Sequence, residues 1–260
     1  KPILDNMENI QRANENRDFL RGIYIQLKAN DAYLRFVFLT GVTKFSKASI
    51  FSGLNNITDI SLKPKYGDIC GYTQKNIEVD FKNYLIDVDL EKVKKWYNGY
   101  NFLGSKVYNP YDILQFIDND CVYKNYWWKT GNAFSLIELI KQGNYYLPSL
   151  QNLKVDETLI DSFDVEKLKI ESLLFQAGYL TIDRVDDDGF DIEYTLRVPN
   201  LEVQMSLNKL MIDYLLDENI DLSRMRNIRN SLRDANLDKF KSILISLFES
   251  IAHDNFRTNN

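Results

Sequence analysis

The chain has 260 residues, 45% of them apolar and 27% charged, with a net charge of -5. That length and balance describe a soluble globular protein with room for one large or two ordinary cores. The acidic excess argues against nonspecific nucleic-acid binding over the whole surface. One His and two Cys, Cys70 and Cys121, neither in a CxxC spacing, exclude a Cys/His zinc site and fit a reducing cytosol. No apolar run approaches 18 residues and no signal peptide is present, so a cytoplasmic location is expected.

Taken in chain order, residues 3 to 29 read as two helices: Ile3, Leu4, Met7 and Ile10 recur at helical spacing, and Phe19, Leu20, Ile23 and Leu27 repeat it. The uninterrupted apolar block from Phe36 to Leu39 predicts a strand over 33 to 42, buried on both faces as in a parallel sheet. It ends at Thr40-Gly41-Val42-Thr43-Lys44, hydroxyls and one cation at the carboxyl end, where open α/β sheets bind ligands. A short helix is expected from Ser46 to Phe51, stopped at Gly53. Thr73 caps a helix to about Leu85, and Asp89 caps another from Leu90 to about Tyr97.

The stretch from Trp96 to Pro110 reads as a helix end and a small hairpin, with Pro110 opening a helix through Ile117. A further helix is expected from Ala133 to Lys141. Then come a helix from Val165 to Gln176 with Gly178 as its stop, strands Tyr179–Asp183 and Phe190–Val198, and a helix from Leu201 to Leu216. Helix, hairpin, helix is the outline of a winged-helix-like module. Helices over about 222 to 233 and 236 to 252 close the chain.

Several passages together resemble the bacterial AAA-ATPase-like family, predicted P-loop ATPases usually fused to a PD-(D/E)XK nuclease-like domain. They are Thr40 to Lys47, Ser49 to Asn56, Trp96-Tyr-Asn-Gly-Tyr-Asn-Phe102, Val107-Tyr-Asn-Pro-Tyr111, Tyr126-Trp127 with Thr130-Gly131, and Leu173 to Ile182. The resemblance implies an α/β fragment followed by mostly α structure: the C-terminal remnant of a P-loop ATPase-like core with a helical lid and a winged-helix-like module. It divides the chain into a sensor-side core end (1–60), a lid region with a small hairpin (61–160), the winged-helix-like module (161–220) and a helical bridge (221–260). It places Lys1-Pro-Ile-Leu-Asp5 just past the acidic Walker B strand, and a nuclease-like core after Asn260.

The implied function is to complete a nucleotide site and pass its state to a nuclease-like effector, without catalysis by this chain alone. ATP and Mg would be cofactors of the parent. Its partners would be the N-terminal P-loop segment and the C-terminal nuclease-like domain of the same protein, with DNA as a further candidate and no membrane. Thr40 or Thr43 would take the sensor role beside the attacking water, and Lys44 would approach the γ-phosphate where the family often has Arg. Lys lacks the bidentate fork of Arg. The bland alternative is that the hydroxyls bond local backbone and Lys44 is solvated.

No GxxxxGK[ST] phosphate loop occurs in the 260 residues. Asp87 and Asp89 read as helix punctuation, Asp186 to Gly189 as a hairpin turn, Asp80-Phe-Lys82 as surface, and His253 as a solvated residue; no metal site is expected. The aromatics around Trp96 and Trp127 read as packing, since no basic cluster interleaves them. The competing function is a nonenzymatic DNA-binding or protein-interaction module, with Arg224, Arg226, Arg229 and Arg233 partly sharing a helical face.

Overall fold

The computed structural model describes residue 6 and residues 9–41, 56–127, 152–156, 170–215 and 222–250. At positions 210–215, 222, 224 and 250 it describes the backbone only. It divides into two compact units, Lys1–Ser206 and Leu207–Asn260.

The first helix, α1, runs unbroken over Ile10–Ala29, with Asn9 accepting from the Arg12 amide at its start. The expected second helix boundary does not occur within 10–29. Ala13 is its one buried residue, so α1 has no tightly packed apolar stripe. A 3-10 turn at Asp31–Tyr33 follows. Residues 36–41 then form no strand, which corrects the reading of 33 to 42 as a buried sheet member. Phe36 is 80% exposed and Phe38 49%, and their rings stack 6.4 Å apart. A doubly buried strand needs hydrogen-bonding neighbours on both edges and cover on both faces; among the described residues nothing supplies either. The helices expected at Ser46–Phe51 and Ala133–Lys141, and the first part of the one expected from Val165, lie outside the described residues.

The core begins at Thr73. Its side chain and that of Asn76 cap each other's backbone at the start of helix α2, Gln74–Val79. The helix stops short of Leu85, and a 3-10 turn at Lys82–Tyr84 takes over. Asp89 caps α3, Leu90–Tyr97, as expected. Asn109 caps α4, Pro110–Asp118, with proline in the first turn. Between these helices, β1 (Tyr72–Thr73), β2 (Asn98–Tyr100) and β3 (Val107–Tyr108) make a small antiparallel sheet in the order β1-β3-β2. β2 and β3 are the expected hairpin. Ile77, Val93, Tyr97, Tyr108, Ile113, Phe116 and Tyr126 fill the centre. Tyr97 lies 5.4 Å from Phe116 and 6.3 Å from Tyr126, centroid to centroid, and its hydroxyl donates to the Lys124 carbonyl at 3.0 Å. The aromatics are packing, as read from sequence.

A second antiparallel sheet, β4-β6-β5, is built from β4 (Leu153–Asp156), β5 (Thr181–Asp187) and β6 (Ile192–Arg197). The hairpin turn between β5 and β6 holds Gly189 at φ 83°, and Asp188 accepts from the Phe190 and Asp191 amides. Strand β4 was not among the expected elements. Helix α5, Ile170–Gln176, precedes the hairpin, and α6, Leu201–Leu215, follows it. The second unit contains α7, Leu222–Arg233, packed on α8, Leu237–Ser250. Their tight turn places Ala235 at φ 51° and returns the Asn236 amide to the Ser231 carbonyl.

The two sheets of the first unit are joined by backbone contact. Asn101 donates from its amide to Thr181 Oγ1 at 2.7 Å and from its side chain to the Ile182 carbonyl at 3.0 Å. Gly99, at φ 128°, approaches Pro199 so closely that a Cβ would stand 2.1 Å from the Pro199 carbonyl oxygen. Arg197 staples the contact: Nη2 donates to Gly99 O at 3.2 Å, Nη1 donates to Val198 O and Pro199 O at 3.1 Å each, and Nε lies 2.8 Å from Asp183. Gly99→Ala is therefore expected to lower unfolding stability by about 3 kcal/mol, combining left-handed strain with the clash; urea denaturation measures it.

Candidate functional sites

Thr40 sits in the exposed stretch after Phe36, outside both sheets. Thr43 and Lys44 lie outside the described residues, as do Thr130, Gly131 and His253. Of the three sensor candidates only Thr40 is described, and it is exposed.

The arginine face is clearer. On α7, Arg226, Arg229 and Arg233 are exposed at i, i+3 and i+7, while Ser231 is buried. Arg233 pairs with Asp234 at 3.3 Å, leaving Arg226 and Arg229 as the more available cations. Arg224 belongs to the same helix.

Sequence reasoning missed a buried pair of acids. Asp112, in the first turn of α4, and Glu202, in the first turn of α6, are both fully buried. Glu202 Oε1 accepts from the backbone amides of Tyr126 and Trp127 at 2.5 and 2.9 Å. Burial, followed by the charge of Glu202, raises Asp112 to about 9, so at neutral pH Asp112 keeps its proton; neither of its carboxyl oxygens nor Glu202 Oε2 makes a hydrogen bond among the described residues. Burial also raises Glu202, opposed by the two amides it receives and by the Asp112 proton. Asn125 donates to Ser206 Oγ at 2.6 Å and to the Glu202 carbonyl at 3.3 Å, and Asn200 caps α6 through the Val203 amide. The Tyr100 hydroxyl, raised by burial and then by Asp112, Glu202 and Tyr179, completes the environment. Two acids sharing one proton can act as a catalytic dyad only where substrate reaches them. Here both are closed off, and what Glu202 does is tie α6 to the Tyr126–Trp127 backbone.

Among the described residues no group of three His, Cys, Asp or Glu side chains could hold a metal. No described helix is long and apolar enough to cross a membrane. Asp87 takes φ 59° and Asp89 caps α3, both local roles. Cys70 and Cys121 are free thiols.

Comparison with known proteins adds the following. Residues 1–51 match the family model described as predicted AAA-ATPase. The matched segment, about a fifth of the chain, is the one that holds Thr40, Thr43 and Lys44. The chain is 40% identical over 260 residues to an Azotobacter chroococcum mcd 1 protein described as "Uncharacterized protein in vnfD 5'region", covering 100% of this chain and 50% of that protein. The chain therefore spans about half the length of the curated relative it matches. No solved structure matches it.

The proton kept on Asp112 sets a pH dependence with a definite sign. The native state holds a proton that an unfolded Asp releases near pH 3.9, so stability falls as pH rises from there toward about 9. The limit is about 1.4 kcal/mol per pH unit. Asp112→Asn keeps a donor toward Glu202 and removes the linked proton. Its melting temperature should change less between pH 5 and 8 than that of the parent sequence, as followed by calorimetry at matched ionic strength.

Proposed function

We propose that this chain is the sensor-side part of an AAA-ATPase-like protein, completing a nucleotide site formed with other polypeptide and relaying its state to an attached effector. The observation that carries the reading is the character of the segment matched by the family model. From Ile10 to Leu39 it exposes Ile10, Phe19, Ile23, Tyr33, Phe36 and Phe38, six large apolar side chains between 48% and 87% open to solvent. An apolar run of this kind is ordinarily covered by sheet and helix neighbours. In a protein twice this length, such as the Azotobacter relative, further polypeptide could supply them. Residues 36–41 would then pair into a sheet as Thr40 and Thr43 reach the site, with Lys44 at the γ-phosphate. ATP and Mg belong to that assembled site. The helix α5, hairpin and helix α6 would act as a winged-helix-like lid, and a nuclease-like domain would be the effector.

The test is made in the full-length protein. Lys44→Ala should reduce ATP turnover at least tenfold with KM changed only a few-fold, because a cation at the γ-phosphate acts chiefly in the transition state. Unchanged turnover would remove Lys44 from the site. The 260-residue chain alone should show no ATP turnover.

A second reading is favoured by the exposed arginines of α7, which could follow a phosphate backbone. If so, Arg226→Ala with Arg229→Ala should weaken duplex DNA binding across sequences and reduce the slope of log affinity on log salt by about 2. Fluorescence anisotropy over a salt series measures both; flat curves would exclude the reading.

A further inference from the structure

A surface cleft of about 700 Å³ opens where the two sheets of the first unit meet. Its volume falls in the range of small-molecule sites, about 300 to 1,000 Å³. Lys75 of α2, Lys94 and Lys95 of α3, Lys106 of the β2–β3 loop and Arg197 of β6 line it, against Asp68 as the one acid in the lining. Arg197 is engaged with Asp183 and three carbonyls, and Lys94 lies 3.9 Å from Glu91. Lys75, Lys95 and Lys106 are exposed, and among the described residues none is in an ion pair.

Three uncompensated ammonium groups from three different elements converge on one hollow in a chain of net charge -5. Helix stability accounts for part of this. Lys94 and Lys95 complement the carboxyl end of α3, but Lys75 stands in the first turn of α2, where the helix dipole disfavours a cation. Lys106 is on no helix. The chemistry of the lining narrows the ligand. No aromatic residue is present to stack on a base. The free cations are lysines, point charges suited to phosphate oxygens, while the one guanidinium is already committed. The Ser105 hydroxyl stands beside Lys106 in the same lining.

We propose that this cleft binds a condensed phosphate chain, a di- or triphosphate group, through Lys75, Lys95 and Lys106. The described residues that line the cleft do not include Thr40, and the proposal uses none of the residues suggested for the nucleotide site. A bounded hollow of this size suits a short phosphate chain better than the long track of a duplex backbone.

The experiment is calorimetric titration of the 260-residue chain with inorganic tripolyphosphate at low salt, without divalent cations. Binding should weaken at least tenfold in Lys95→Ala/Lys106→Ala, whose exposed positions should leave the melting temperature unchanged. Lys239→Ala/Lys241→Ala, an equal charge loss on the exposed surface of α8, should leave binding intact. Absence of tripolyphosphate binding would overturn the proposal. So would an equal loss in both double variants, which would mean diffuse attraction. Tighter binding of a 20-base-pair duplex, lost in the cleft variant, would overturn it in favour of a phosphodiester backbone. ATP turnover enters none of these readouts, so this result and that for Lys44 stand apart.

Discussion

The burial of two acids, Asp112 and Glu202, with a proton kept on Asp112, is the constraint on which the first unit depends most. Two carboxyl groups out of water repel unless one stays protonated. With the proton on Asp112, the remaining charge on Glu202 is met at Oε1 by the Tyr126 and Trp127 amides. Those amides lie where irregular backbone reaches a 3-10 conformation at Trp127, and without Glu202 two donors would be buried unpaired. One arrangement therefore meets the charge of an acid on α6 and two backbone amides at once, with the protonated acid of α4 buried beside them. Removing Glu202 would leave both amides uncompensated, at a cost of about 3 kcal/mol or more.

Around this pair the aromatic side chains give rigidity. Trp127 meets Tyr179 edge-on at 4.6 Å, and Tyr97 packs with Phe116, Tyr123 and Tyr126. The Gly99–Pro199 approach and the Arg197 staple then fix the small sheet to the larger one. The cleft with its lysines is a consequence, since its walls are the elements that these contacts hold in place.

Local chemistry was legible where the signal was local. Thr73, Asp89 and Asn109 sit at helix starts because their side chains accept from amides within the first turn, and the Asp-Asp-Asp-Gly run makes a turn for the same reason. The Trp96–Phe102 motif was recognisable, but the reason for its glycine was not: the partner, Pro199, is a hundred residues away. Asp112 looked like an ordinary first-turn acid and Glu202 another; only the fold shows them facing each other. Strand β4 does alternate, Leu153-Lys-Val-Asp156, but four residues are too short a run to stand out. The run from Phe36 to Leu39 misled in the opposite direction, because apolar content reports a preference for burial and not the presence of something to bury against.

The functional reading rests on residues 1–51, the mechanical one on residues 72–206, and they meet in the idea of a structured body able to feel the state of a neighbouring site. The mechanical part can be tested by following the side-chain carboxyl carbons of Asp112 and Glu202 by NMR across pH 4 to 10. One proton should remain on the pair at pH 7 and leave only in the alkaline range, with Tyr126 and Trp127 amide shifts moving in step. Two fully ionised carboxylates by pH 6, with those amides unmoved, would contradict the account.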